Sequence, residues 1–257
     1  MSGPPDETKS SARVETRSSR RVALVTGGTR GIGEAVARRL AGDGFAVFIS
    51  GSSEESTRKA LARFAKEKPA IAGAIRGFAA DARSEADQKR LVESTAREGG
   101  RLDVLVNNAG LGHFGPVDEL SPEKFREVLE TNLFGVYYAV HYAAPLMKAN
   151  GGGFIVNIAS LAAVNAFAGG SAYNASKFGL LGFSEAAMLD LRHSGIRMAS
   201  VLPGSVDTEF GHPSASREAS WMLQPEDVAE AVADLVRYPE RAIPSRIDLR
   251  PSRPPRK

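Results

Sequence analysis

From residue 21 to residue 249 the chain alternates short, mostly apolar runs with longer stretches in which apolar residues recur at helical spacing. The first run, Val22-Ala23-Leu24-Val25, has no polar position on either side. That is the pattern of a strand covered on both faces rather than one half in water. Comparable runs at 45–50, 75–80, 103–106, 154–159 and 196–202, and a short last one at 243–249, predict six more strands. Between them, helices are predicted from Glu34 to about Asp43, from Glu54 to about Lys68, over 85–98, from Ser121 to about Lys148, from Tyr173 to Arg192 and over 225–237. Ser121-Pro122 marks one start plainly: a serine cap precedes a proline whose fixed φ and missing N–H suit the first turn. That helix is long, and a bend is expected near Asn132. Segments 111–120, 160–171 and 205–224 have no such period and read as loops. Strand and helix alternate with no internal repeat or linker. The prediction is an α/β fold: a doubly wound (Rossmann) parallel sheet of about seven strands with helices on both faces, one domain over 21–250.

The ends differ in character. Residues 1–20 are rich in Ser, Thr, Pro and charge, with too few apolar side chains to offset ordering entropy, and are expected to be disordered. Residues 251–257 form a basic tail. A balance of +2 over residues 1–21 and +4 over 246–257, against +3 for the whole chain, leaves −3 for 22–245. A mildly acidic body argues against a nucleic-acid-binding core, although the tails could touch anionic surfaces. With no Cys, disulfide and thiol chemistry are excluded. His113, His141, His193 and His212 lack metal-ligand spacing, so no metal is expected. No apolar run of signal-peptide or membrane-span type opens the chain, and a cytoplasmic location without membrane or nucleic-acid partners is expected.

Chemistry enters at Tyr173-Asn174-Ala175-Ser176-Lys177. Residues four apart on a helix share a face, so a phenol and an ammonium stand one turn from each other. The ammonium favours the phenolate and lowers a pKa that is about 10 in free tyrosine, which would make the pair a tuned proton donor. The same spacing also describes an ordinary amphipathic helix. A second feature is Thr26-Gly27-Gly28-Thr29-Arg30-Gly31-Ile32-Gly33, set between the first strand and first helix. Glycines there permit a tight turn and let a pyrophosphate approach backbone amides at a helix N-terminus.

Taken together, these residues resemble the classical short-chain dehydrogenase/reductase family over about residues 20–250. Thr26–Gly33 fits its Thr-Gly-x-x-x-Gly-x-Gly motif, and Asn107-Asn108-Ala109-Gly110 fits its Asn-Asn-Ala-Gly strand end. Asn132, Ser160, Tyr173 and Lys177 stand in the order of its catalytic tetrad, and Pro203-Gly204 with Thr208 fits the motif that closes over the nicotinamide. The N-terminal extension lies outside the pattern. The end from Arg246 to Lys257 lacks the Asp-Gly-Gly finish of many members, so their C-terminal contacts do not carry over.

The resemblance implies that Tyr173 protonates a developing alkoxide and Ser160 stabilises it. Lys177 would lower the Tyr173 pKa and bind the nicotinamide ribose, and Asn132 would hold a water linking Lys177 to solvent. Cofactor contacts are expected from Gly27, Thr29, Arg30, Gly31, Ile32, Gly33, Ser52, Asp81, Asn108, Ala109, Gly110, Tyr173, Lys177, Pro203, Gly204, Val206 and Thr208, with Asp81 at the adenine. An NAD site usually has an acid after the second strand, but here Ser50-Gly51-Ser52-Ser53 stands there, with Glu54 and Glu55 only later. Small hydroxyls accommodate a 2′-phosphate and Arg30 supplies a cation for it, so NADP is expected over NAD. Leu111, His113, Phe114, Val164, Phe167, Phe210, Trp221 and Met222 would line a pocket for an uncharged, partly apolar carbonyl compound. Members most similar in feel are 3-oxoacyl-carrier-protein reductases; an acyl-carrier partner would want a basic patch at the mouth, for which Arg192 and Arg197 are candidates. The apolar circumference of the helix after Tyr173 implies a homo-oligomer, dimer or tetramer. The leading expectation is an NADP(H)-dependent reductase of a small ketone or aldehyde. Its rivals are an NAD-dependent secondary-alcohol dehydrogenase, a non-catalytic dinucleotide-sensing or scaffold protein, and a tail-mediated binder of anionic surfaces.

Overall fold

The central apolar runs are buried on both sides because helices cover both faces of the one sheet that holds them, while the two runs at its edges are partly exposed. The computed structural model describes residues 20–210 and 220–255; the disorder expected of residues 1–19 and the end of the basic tail lie outside the described residues. Seven parallel strands are β1 (Val22–Val25), β2 (Ala46–Gly51), β3 (Ile75–Ala79), β4 (Val104–Asn107), β5 (Gly153–Ile158), β6 (Ile196–Pro203) and β7 (Arg246–Leu249). Their order is β3-β2-β1-β4-β5-β6-β7. Val25 pairs with Ile49 on one side and Val106 on the other, and Val106 pairs with Val156. Successive side chains alternate between two cores. Ala23, Val25, Val47, Ile49, Val106 and Val156 enter one; Val22, Leu24, Phe48, Leu105 and Ile155 enter the other.

The helices are α1 (Gly31–Gly42), α2 (Glu54–Glu67), α3 (Pro69–Ala72), α4 (Glu85–Gly99), α5 (Pro122–Leu129), α6 (Gly135–Ala149), α7 (Ser171–Leu191) and α8 (Pro225–Arg237). Val36 and Leu40 of α1, Phe64 of α2 and Val228 and Val232 of α8 cover the first face. Leu91 of α4, Val140 of α6 and Leu180 and Leu191 of α7 cover the second. This is the doubly wound sheet that the sequence predicts. Among the described residues no helix is long and apolar enough to cross a membrane.

Three local departures have physical reasons. Pro69 nucleates the extra turn α3 in what reads as a plain connection. The last strand begins at Arg246, and Ile243 packs on the core ahead of it. The bend expected near Asn132 is a π-helical turn, Glu130–Phe134, joining α5 to α6, in which the Gly135 N–H donates to the Glu130 carbonyl. A side chain at Gly135 would put its Cβ 2.4 Å from the Ala82 carbonyl oxygen, so glycine allows this joint to press on the loop after β3. The strand order reverses between β1 and β4, and α/β sheets bind ligands at the carboxyl ends beside such a reversal.

Candidate active site

At that reversal the glycine loop is braced by its neighbours. The Gly27 and Gly28 N–H groups donate to the Ser50 hydroxyl (3.2 Å) and carbonyl (2.9 Å). Asn108 donates through Nδ2 to the Thr26 and Gly27 carbonyls, both at 3.0 Å. The Asn108 and Ala109 N–H groups donate to the Thr26 hydroxyl at 3.0 and 3.1 Å. Gly27 and Gly31 have φ of +62° and +54°, where L side chains are strained. A Cβ on Gly33 would lie 2.3 Å from the Gly27 carbonyl oxygen, so the first turn of α1 can approach the loop only without a side chain there. Above Gly31, Thr208 comes within 3.3 Å of where a Cβ would sit.

Around this cradle the other expected cofactor residues divide by role. Thr29 and Ser52 lie on its rim, Ser52 exposed at the end of β2, whereas Ile32 turns its side chain onto the core. Both Asn108 amide protons are engaged by the loop, so its side chain braces the cradle. Gly110 faces Asn132, whose Oδ1 would be 3.2 Å from a Cβ there. Pro203 ends β6, and the Gly204 N–H donates to the Leu249 carbonyl at 2.8 Å. Val206 bridges to Leu223, pinning the two ends of the segment read as a loop over 205–224. Arg30 is exposed and pairs with Glu209 at 3.0 Å. Ser53 caps α2, which leaves Glu54 and Glu55 in its exposed first turn.

The four tetrad candidates converge from three parts of the fold. Tyr173 and Lys177 stand on the first turns of α7, Ser160 follows β5, and Asn132 comes from the π-helical turn. Burial pushes the Tyr173 phenol above its usual value of 10, and the Ser160 hydroxyl hydrogen-bonded beside it draws it part of the way back. The expected lowering by Lys177 is therefore corrected: burial sets the direction, Ser160 supplies the opposing hydrogen bond, and the ammonium, whose Nζ lies 5.7 Å from the ring centre, is not among the causes. Burial also lowers Lys177 from 10.5 to about 8. Its ammonium donates to the Ile158 carbonyl at 3.0 Å, using one of three donors. Asn132, wholly buried, donates to the Leu111 carbonyl (2.9 Å) and the Ser176 hydroxyl (3.0 Å) and accepts from the Leu111 N–H (2.9 Å). Its amide thus ties the substrate-side loop to α7.

Beyond the tetrad, Asp81 is clasped by Arg83, with Nη2 to Oδ2 at 2.8 Å, and this hydrogen bonding holds its carboxyl below the ordinary carboxylate value. Arg83 continues to Glu127 (3.1 Å), and Glu127 to His113 (2.9 Å). This chain of charged contacts joins the loop after β3 to the loop after β4. Sequence reading missed it, since partners on different elements leave no spacing signal.

The expected pocket residues separate. Phe114, Phe167 and Phe210 gather about Tyr173, and Leu111 and His113 stand in the same loop as Phe114. Val164 joins the core, and Trp221 and Met222 line a cavity of about 410 Å³ with Asp227, Pro251, Ser252 and Arg253. Arg192 and Arg197 are corrected outright. They lie where α7 ends and β6 begins, at the opposite end of the strands from Tyr173, and Arg197 donates to the Tyr238 carbonyl. Because α7 runs 21 residues, Arg192 is about 30 Å along the axis from the site at the usual ~1.5 Å rise. No group of three or more metal-ligating side chains occurs among the described residues. His141 lies between Tyr137 and Tyr142, His193 is in the turn after α7, and His212 is outside the described residues.

A glycine cradle at the sheet's reversal, with a Ser-Tyr-Lys cluster across it, defines a dinucleotide-dependent oxidoreductase site. The chain belongs to the short chain dehydrogenase family, whose model matches residues 21–219. It is 36% identical over 233 residues to a cyclohexanol dehydrogenase of Acinetobacter sp. (strain SE19), covering 87% of this chain and 90% of that one. Two solved structures are similar throughout. A metagenomic short-chain oxidoreductase in complex with NADP superposes with a TM-score of 0.77 at 32% identity, covering 91% and 98% of the two chains. An actinorhodin polyketide ketoreductase variant with NADPH does so with a TM-score of 0.80 at 34% identity, covering 90% and 95%.

Proposed function

We propose that the protein is an NADP(H)-dependent reductase of a small ketone or aldehyde, reversible to alcohol oxidation, with Tyr173 as the proton donor. The observation that carries this is the half-buried Tyr173, its phenol beside Ser160 and above the buried Lys177 ammonium. The residues fit a dinucleotide: two Lys177 donors have no acceptor among the described residues, and the glycine cradle excludes side chains. Gly27, Gly31 and Gly33 would hold its pyrophosphate at the N-terminus of α1, and Lys177 a ribose hydroxyl. When bound, the nicotinamide supplies the hydride.

The protein's own groups do the rest. Ser160 and Tyr173 aim two hydroxyl donors at one carbonyl oxygen, where negative charge develops, and preorganised donors of this kind often contribute most to catalysis. Tyr173 delivers the proton, and the Lys177 charge stabilises the phenolate that remains. Asn132 fixes the loop at Leu111 against α7, which keeps the substrate side in register with Tyr173.

The preference for NADP rests on Arg30, the exposed Ser52 and the lack of an acid at the end of β2. The Arg30–Glu209 pair is exposed, so breaking it costs no more than about 1 kcal/mol, and the guanidinium is available to a phosphate. A panel of ketones and aldehydes, followed by cofactor absorbance, tests the reading. NADPH is expected to bind about 10-fold or more tighter than NADH, and Arg30→Glu to erase most of that difference. Tighter NADH binding in the parent protein would overturn the cofactor assignment. Cofactor binding with no carbonyl reduced would favour the sensing rival.

We further propose that the working form is a homo-oligomer. Phe134 and Tyr137, on the π-helical turn and α6, and Phe178 and Leu189 on α7 are each about half exposed on neighbouring elements. Apolar surface of this kind marks an interface. Light scattering is expected to give a dimer or larger and Phe178→Lys to shift it toward monomer. A monomeric parent protein at micromolar concentration would defeat the proposal.

A further inference from the structure

The three phenylalanines about Tyr173 are arranged as a fork rather than a packed cluster. Phe114 and Phe210 lie 5.6 and 5.8 Å from the Tyr173 ring, tilted to it by 61° and 50°. Phe167 stands behind Phe114 at 6.0 Å. None of the three is buried: Phe114 is 45% exposed, Phe167 48% and Phe210 40%. Large apolar rings left in water beside a half-buried reactive group mark a ligand groove. Both front rings are tilted to Tyr173 rather than stacked flat on it. Gly112 lies between them: a Cβ there would be 2.7 Å from the Phe114 Cζ and 3.4 Å from the Phe210 Cζ, so the two ring edges converge over a residue without a side chain.

Charge is withheld from the fork. His113 and Glu127 pair with each other, as do Arg30 and Glu209, and no ion pair involves a fork residue. Aromatic surfaces favour another flat ring in stacked or edge-on contact, and a rigid ring loses less freedom on binding than a flexible chain of equal size.

We propose that Phe114 and Phe210 select carbonyl compounds in which the reacting carbon bears a flat aromatic ring, held against these two rings while its oxygen meets Tyr173 and Ser160. The inference rests on the reductase reading. It names that site's substrate class.

Three methyl ketones of equal carbon number separate flatness from hydrophobicity: acetophenone, cyclohexyl methyl ketone and 2-octanone. With NADPH, acetophenone is expected to be reduced with about 10-fold higher kcat/KM than either of the others. Phe114→Ala and Phe210→Leu should each remove most of that preference while changing NADPH affinity by less than about 2-fold. Equal or greater efficiency with 2-octanone, or a loss in the variants shared equally by all three ketones, would overturn the proposal. If no ketone is reduced, saturation-transfer NMR decides. Acetophenone signals seen with the parent protein plus NADP and lost in Phe114→Ala keep the aromatic site and reject the reductase reading. No signal with the parent protein overturns the site itself.

Discussion

Replacing Tyr173 by Phe is expected to lower the carbonyl reduction rate by about 10³-fold or more, with the fold and cofactor affinity nearly unchanged. A positioned general acid contributes roughly 10²–10⁴-fold, and this substitution removes the proton while keeping the ring. The ring's contacts with Phe114 and Phe210 survive the change. What is lost is one hydroxyl and its hydrogen bond with Ser160. Single-turnover loss of bound NADPH absorbance measures the chemical step, and fluorescence titration of NADPH measures binding. Turnover within about 3-fold of the parent would remove Tyr173 from the acid role, since a step served by water or Ser160 alone should lack most of that general-acid factor.

Not every part of this site was equally legible from the chain. Strand, glycine loop and helix at Val22–Gly42 could be read because a local apolar run and glycines at fixed spacing determine them, and the same holds for the order of Asn132, Ser160, Tyr173 and Lys177 along the chain. The π-helical turn at Asn132 could be read only as a bend: it depends on Gly135 meeting the Ala82 carbonyl, a contact between segments far apart in sequence. Arg192 and Arg197 misled for a related reason, since composition says nothing about which end of a strand a residue occupies. The direction of the Tyr173 shift was misread because spacing reveals a charge one turn away but not the burial that sets the direction. The chain of contacts from Asp81 through Arg83 and Glu127 to His113 needed the fold before it could be seen at all.

That burial gives the second large effect its sign. The rate of reduction, measured as kcat/KM for the cofactor, is expected to fall as pH rises through about 8, because Lys177 loses its proton there. Tyr173, held above its usual 10, stays protonated through the same range and cannot be the group responsible. The loss is not unfolding either, as linkage shows. Lys177 titrates near 8 when folded and near 10.5 when exposed, so between those values the unfolded chain binds more protons than the folded one. Stability therefore rises with pH across that window, by at most about 3 kcal/mol from this group. Activity and stability should move in opposite directions above pH 8, a divergence that paired rate and thermal-melt measurements would detect. Lys177→Met sharpens the test. It removes a buried charge and should leave the melting temperature at pH 7 no lower, while turnover drops by about 10²-fold or more as the phenolate loses its stabilising charge. The falling limb near pH 8 should vanish with it. If residual activity in that variant still falls near pH 8, the limb belongs to another group and Lys177 has no part in the proton step.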